Sequence, residues 1–413
     1  MLKAIPRQSV ELSFNEALAL IFALFKNPTK SGEQVREFER RIAEFIGVKE
    51  AISFSSQRAG MLEVLKALDP KPGDEVIVPA YTFFSVPACV VLAGFTPVFV
   101  DVLPDTWNLN PEKVQSALSS RTRAIVITHL NGCPADMEPL VEIAKRSNVS
   151  LIEDCAQALG ATYHSKPVGS FGIGCFSFGE GKNLLALGGG MITTNDSSLA
   201  ARLRESSQRF PFPKAGEIWL KAMKLLTYRA LTTPWIFTVT AFPLIFLETF
   251  LNREVNTEKE HTLKHISVDN LLSRFSDTQA ALGLTQLVSV VSRNQRRREN
   301  AETLSNQLKD VTGLSLPPQL SDRDHLFTHY AIQIPRREPW VRALIRKGVD
   351  AQRDYCSFCP KLPDFHSPRS RVPFPVPTAE GLDGRVAYLP SHPRIGKPDI
   401  IRIADTVKEV MAS

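Results

Sequence analysis

"RAIVITHLNGCPADMEPLVEIAKRSNVSLIEDC", residues 123–155, sets two runs of mostly β-branched residues on either side of an amphipathic stretch. The runs 123–130 and 149–155 have strand length, and 134–148 between them has helical spacing. Strand, helix, strand in so short a span predicts parallel strands joined by a crossover helix. Working outward, the pattern repeats. Strand-like runs fall at 51–56, 74–79 and 96–102, with helical patterns at 59–68 and from about 80 to Ala93. Upstream, after a short N-terminal arm, 31–48 spaces Val35, Phe38, Ile42 and Phe45 along one helical face. The expected fold is α/β, a three-layer sandwich with a mainly parallel sheet covered on both faces.

The 413 residues suffice for a large domain and a smaller one. With 43% hydrophobic and 22% charged residues the composition is that of a globular protein, and a formal charge of +6 favours acidic ligands or an anionic surface. No RNA- or DNA-binding motif is present, so nucleic acid is not an expected partner. Of six cysteines, 133, 155 and 175 lie in or beside apolar runs and read as reduced core residues. Cys356 and Cys359 have the spacing of half a zinc site or a redox pair, but no second pair accompanies them and no metal is expected. The start of the chain lacks the pattern of a signal peptide, which makes the cytoplasm the expected location.

The pattern changes over 211–262. The first half of 217–252 reads as an amphipathic helix carrying Lys221, Lys224 and Arg229; the second holds an apolar core, Trp235 to Leu247, interrupted by Pro243. That core is too short to span a bilayer, which takes about 20 apolar residues. Two readings stand: a buried helical pair or partner interface, or a segment lying on the inner face of a membrane, making peripheral contact through 217–251 with Trp219 and Trp235 at the interface. A long helix resumes at Asp277, where Arg296-Arg297-Arg298-Glu299 reads as a solvated or salt-bridged face. The expected division is 1–290 for the large domain, with its arm and the insert, and 291–413 for a small C-terminal α+β domain.

In open parallel sheets ligands gather beyond the carboxyl ends of the strands. Ser55, Ser56, Asp154 and Gln157 all fall there, and "CFSFGEGKNLLALGGGMITTND" (175–196) places Lys182 between two glycines. A nucleotide P-loop is excluded, because Phe176 stands where its first glycine belongs and Asn183 where it needs Ser or Thr. A strand-end carboxylate such as Asp154 is what a protonated pyridine nitrogen requires, and Gln157 is placed to meet the ring oxygen. Ser177 precedes the lysine on an incoming strand, placed for a phosphate oxygen. The turn Ser56-Gln57-Arg58 offers helix N-terminal N–H groups to the same anion, and Phe83 can stack on a flat ring. Singly, these residues read as a cap, a core aromatic and an exposed lysine. In this order they describe a pyridoxal 5′-phosphate site with Lys182 bonded to the aldehyde. Tyr81, Asn183 and His329 are candidate substrate contacts.

The segments "YTFFSVPACVVLAGFTPVFVDV", "LIEDCAQALGATY", "GSFGIGCFSFGEGKNLLALGGGMITTND" and "RFSDTQAALGLTQL" resemble, in order, the DegT/DnrJ/StrS-type aminotransferases. The resemblance covers nearly the whole chain. It implies a fold type I pyridoxal phosphate enzyme and a homodimer with active sites at the subunit interface. It also implies an amino donor, glutamate or glutamine, and an acceptor that is a keto sugar on a nucleotide. By the same resemblance Lys182 is the lysine that binds the cofactor, Asp154 the partner of the pyridine nitrogen, Ser177 a phosphate ligand and Phe83 the stacking aromatic.

Departures accompany it. The family's Ser-Gly-Thr turn is Ser56-Gln57-Arg58 here, so Arg58 is expected to grip the phosphate. Its frequent interface asparagine is replaced near Leu272, the insert is absent from typical members, and Leu184 to Leu187 are apolar where relatives are more polar. Those leucines mark where an altered substrate is expected; the insert and the altered turn suggest a membrane-linked or cyclitol acceptor as the alternative. A protein of this fold that binds the cofactor without turnover, docked on a membrane, is the alternative from another class.

Overall fold

A computed structural model describes residues 3–26, 29, 32–251, 263, 273–353 and 355–412. Its centre is a seven-stranded sheet: β1 (Glu50–Phe54), β2 (Glu75–Pro79), β3 (Thr96–Val100), β4 (Thr122–Thr128), β5 (Ser150–Asp154), β6 (Ile173–Ser177) and β7 (Gly190–Thr194). The spatial order is β1-β7-β6-β5-β4-β2-β3. All neighbours run parallel except β7, which is antiparallel to both β1 and β6. The period of two along each strand divides its side chains between two helical layers. Ile77, Val98, Ile125 and Ile127 meet helices Pro111–Ala117 and Met137–Arg146 on one face. Val76, Val78, Phe99 and Val126 meet Gln57–Lys66 and Ser85–Leu92 on the other. Each such side chain, fully buried, contributes about 1.5–3 kcal/mol of transfer free energy. The strands were legible because both faces are dry.

The smaller unit is a three-stranded antiparallel sheet, β8 (Tyr330–Gln333), β9 (Gln352–Arg353) and β10 (Val386–Leu389), with β10 in the middle and helices Arg337–Arg346 and Lys397–Ala412 packed on it. The helix Asp277–Leu308 runs through both units, opened by a capping box between Ser276 and Gln279. Its Val290 packs in the large-domain core, while Ala301, Leu304 and Leu308 pack in the small one. A boundary at 290/291 therefore falls inside one continuous helix. The N-terminal arm is shared too: Ile5 bridges to Val349 in the small-domain core, and Arg7 pairs with Asp350. On the long helix, Arg297 is buried and ion-paired with Glu11, so this member of the arginine run is salt-bridged and not solvated.

Residues 14–26, read above as part of the arm, form a helix. Ser13 and Glu16 cap it reciprocally: the Ser13 N–H donates to Glu16 Oε2 at 2.7 Å, and the Glu16 N–H donates to Ser13 Oγ at 3.3 Å. The insert forms three helices, Ala215–Leu231, Pro234–Val239 and Ala241–Phe250; Pro234 sits in the first turn of the second, where its missing N–H costs nothing. Ile218, Ala222 and Leu225 of the insert pack with Leu20 and Leu24 of the N-terminal helix. Residues 252–262 of the insert, and Leu272, lie outside the described residues. Among the described residues no helix is long and apolar enough to cross a membrane.

Candidate active site

Lys182 rides the loop between β6 and β7, half-buried, and its Nζ donates to the Tyr355 hydroxyl at 2.7 Å. Asp154 ends β5, the strand beside β6, so the parallel register that pairs Asp154 with Cys175 brings it to the same edge of the sheet. Both hydrogen bonds to Asp154 from described residues use Oδ1: one from the Ala156 N–H at 3.0 Å, one from Gln57 Nε2 at 3.2 Å. Burial pushes the Asp154 carboxyl above its ordinary range, against the pull of the Ala156 N–H and the Lys182 charge. A buried carboxylate with one unused oxygen is ready for a cationic ring nitrogen.

Gln157 turns Oε1 to the Asn131 N–H at 2.9 Å, which leaves its amide N–H₂ as the end free to meet a ring oxygen. Ser56 caps the helix Gln57–Lys66, its Oγ accepting from the Ala59 N–H at 3.1 Å. A Cβ on Gly190 would collide with the Gln57 backbone, and one on Gly189 with the Phe275 ring. The glycine run after Lys182 thus seats the start of β7 against the 56–58 turn. Opposite it Ser177 pairs with Gly190, which places the serine and the turn at one corner of the site. Phe83 follows the short strand Tyr81–Thr82 and lies 5.5 Å, centroid to centroid, from Tyr355.

The three candidate substrate contacts differ in placement. Tyr81 is buried, within electrostatic reach of Tyr388. Asn183 turns inward: its Nδ2 donates to Asn294 Oδ1 and Thr328 Oγ1, each at 3.0 Å, tying the lysine loop to the long helix. His329 packs its ring 4.2 Å from Tyr355, and burial together with the Lys182 charge lowers its pKa to about 3, so it is a neutral imidazole. A cleft opens beside His329, lined also by Gln8, Gly181, Arg297, Thr328 and Tyr388.

Tyr355 was missed by sequence reasoning. It is 173 residues from Lys182, and only the antiparallel pairing of Ser357 with Thr82 carries it to the site. Burial pushes its hydroxyl pKa up, while the Lys182 charge and hydrogen bond pull it back. The leucines after Lys182, where an altered substrate is expected, are buried: Leu184 joins the large-domain core, and Leu185 and Leu187 pack under the N-terminal and first insert helices. All six cysteines are free and buried. Among the described residues His129, Glu153 and Cys155 group closely, but Glu153 already accepts N–H bonds from Gly169, Phe171 and Gly172, closing the loop after β5.

Pyridoxal phosphate fits these residues. Among the described residues Asp154 has no cation on its second oxygen, Lys182 has a hydroxyl and no carboxylate for a partner, and the buried His329 Nδ1 and Asn131 Oδ1 have no hydrogen-bond partner.

Comparison with known proteins agrees. The model of the DegT/DnrJ/EryC1/StrS aminotransferase family matches residues 15–218 and 250–408, and its gap falls on the insert. A UDP-N-acetyl-3-dehydro-α-D-glucosamine 3-aminotransferase of Acidithiobacillus ferrooxidans is 30% identical over 92% of this chain and 89% of its own length. A dTDP-3-amino-3,6-dideoxy-α-D-galactopyranose transaminase of Aneurinibacillus thermoaerophilus is 30% identical over 91% and 90%. Among solved structures, DesV of S. venezuelae superposes with a TM-score of 0.78 at 26% identity, covering 99% of each chain. An aminotransferase from Psychrobacter cryohalolentis gives 0.78 at 27%, covering 97% of this chain and 98% of the other. The chain belongs to the DegT/DnrJ/EryC1/StrS aminotransferase family and is a pyridoxal phosphate-dependent transaminase.

Proposed function

We propose that this enzyme transfers an amino group from glutamate or glutamine to a keto sugar carried on a nucleotide, in the making of a cell-surface polysaccharide or a secondary-metabolite sugar. The observation that carries the reading is the convergence of Asp154 and Lys182 on one sheet edge, with Asp154 Oδ2 and Lys182 Nζ both available to a ligand. Bound pyridoxal phosphate supplies an electron sink for the pair released when the substrate C–H bond breaks. Asp154 Oδ2 holds the proton on the ring nitrogen that keeps the sink open. Lys182 Nζ, once released, would carry the proton between the substrate carbon and the cofactor carbon. Tyr355 aims Nζ. Ser56, Gln57, Arg58 and Ser177 would hold the phosphate, Phe83 would cover the ring and Gln157 would meet its oxygen. His329, neutral, accepts or donates one hydrogen bond to substrate without adding charge, and Tyr81 and Asn183 are the further candidate contacts.

The partners in this reading are the two small substrates and a second copy of the chain, with residues 217–251 resting on the inner face of a membrane. An acceptor that is itself membrane-linked is the second reading, favoured by the exposed apolar side chains of the insert, among them Trp235, Val239 and Leu244. The test is a half-reaction screen: amine-loaded enzyme is mixed with keto sugar nucleotides and the return of the aldehyde-form absorption is followed. Return with at least one nucleotide-linked sugar is expected. Return only with lipid-linked acceptors selects the second reading, and no visible cofactor absorption in loaded wild type sinks both.

A further inference from the structure

The N-terminal helix Phe14–Lys26 is apolar on both sides. Leu20 and Leu24 face inward, against Leu185, Leu187, Ile218 and Leu225. Phe14, Leu18, Ile21, Phe22 and Phe25 recur at helical spacing on the outside, with Phe14, Phe22 and Phe25 each more than 70% exposed. A helix that only covers a core carries polar residues on its outer side. This outer side has one exposed charge, Lys26. It continues into the insert: the Phe25 ring meets Trp219 edge-on at 5.2 Å, and the insert helices expose Leu220, Met223, Trp235, Ile236, Val239, Leu244, Phe246 and Leu247. Of the twenty large apolar side chains that the described residues expose, thirteen lie on these four helices. So much contiguous apolar surface marks an interaction site.

We infer that the N-terminal helix and the insert together form one docking face for an anionic lipid bilayer, with the helix supplying the half that the insert lacks. Charge selects this occupant. The exposed charges along these helices are Lys26, Lys214, Lys221 and Lys224 against Glu217 and Glu248, and none of these lysines makes an ion pair with a described residue. A twofold contact with a second copy presents the same patch to itself and sets these lysines near one another. Anionic headgroups complement them, and lysine stems reach from a shallowly buried helix to the headgroup level. The helices are short and lie across the surface, which suits a face sunk into the interface and not a span. The inner sides of the same helices hold Leu185 and Leu187 of the lysine loop, so the docked face and the active site share one packing layer.

The test uses the full, cofactor-loaded chain with vesicles of three parts phosphatidylcholine to one part phosphatidylglycerol, and with pure phosphatidylcholine. Co-flotation is expected on the anionic vesicles, about tenfold weaker on the neutral ones, and weaker with added salt. Phe22→Glu with Phe25→Glu lowers partitioning about tenfold or more; Lys221→Ser with Lys224→Ser lowers it on the anionic vesicles alone. Both variants change exposed side chains and keep the visible cofactor absorption, which reports the fold. Flotation untouched by the Phe22/Phe25 change overturns the composite face. Failure of the wild type to float on either vesicle also overturns it, and a sedimentation coefficient that drops in the Phe22/Phe25 variant then assigns the face to a second copy.

Discussion

Two surfaces flank the loop that carries Lys182. On one side stand the strand ends with Asp154, Gln157, Ser177 and the 56–58 turn, polar groups held in a largely buried corner. On the other lie the N-terminal helix and the insert, whose apolar side chains point both into the core and out of it. The family model spans the first surface without a break, the 56–58 turn being its one departure noted above; the second contains the stretch where that match lapses. The contrast separates two questions that one fold answers with different residues. What reaction occurs is set by a few polar side chains fixed by sheet register. Where the enzyme stands while it occurs is, in our proposal, written on the helices of the second surface.

That division can be broken by experiment. The largest effect belongs to Lys182→Ala, which should lower turnover by about three orders of magnitude or more and abolish the visible cofactor absorption. Turnover within tenfold of wild type would remove the lysine from the mechanism. Next is the seat of β7. Gly189 has φ 99° and its Cβ would run into Phe275, so Gly189→Ala should cost about 3 kcal/mol or more in urea unfolding; Gly188, at φ 84° with open space around it, should cost only about 1 kcal/mol as alanine.

Asp154→Asn should reduce turnover about a hundredfold yet stabilise the cofactor-free protein. The sign follows from burial, which raises this carboxyl in the folded state. The contribution of the protonated form is complete below the unfolded carboxylate value and is lost as pH rises through the folded one. The Tm gain of the asparagine variant should therefore appear near neutrality and fade in acid; a gain independent of pH would contradict it.

His329 titrates in the opposite sense. Its pKa is depressed to about 3 by burial, so the stability it contributes is present above the unfolded value and lost as pH falls from about 6.5. By about pH 4 the wild type should lose on the order of 2–3 kcal/mol that His329→Gln does not lose, measured by denaturant melts across pH. The smallest effect is expected on the outer surface: Phe14→Ser should change stability by less than about 0.5 kcal/mol and leave turnover alone. A marked loss of turnover there would erase the distinction between the two surfaces.

Much of the reactive wall was legible in the residue pattern. Five strands stood out because both of their faces are buried and their residues are β-branched, and Asp154 and Lys182 stood out because a carboxylate at a strand end and a lysine among glycines are chemically conspicuous. Other parts were not. Tyr355 has no local signal, since a tyrosine between unremarkable neighbours gains its role only when Ser357 pairs with Thr82. The helix 14–26 did carry a signal, the Ser13–Glu16 capping box, but an uninterrupted apolar stretch obscured which side faces the core. The packing of Leu184 to Leu187 was hidden for a related reason: leucines beside a loop lysine say nothing about whether they face a substrate or the helices beneath.

The sequence by itself determined the layered α/β architecture and the cofactor, and singled out Lys182 and Asp154 as the residues proposed to hold it, because these depend on short-range periodicity and on motifs with their own chemistry. Tertiary structure alone decided which distant groups meet them: the Tyr355 hydroxyl on Lys182, the Gln57 amide on Asp154, Arg297 buried against Glu11, and the apolar outer side of the N-terminal helix running on into the insert. Contacts between residues far apart in the chain are set by how whole layers pack, and packing leaves no period in the sequence to read.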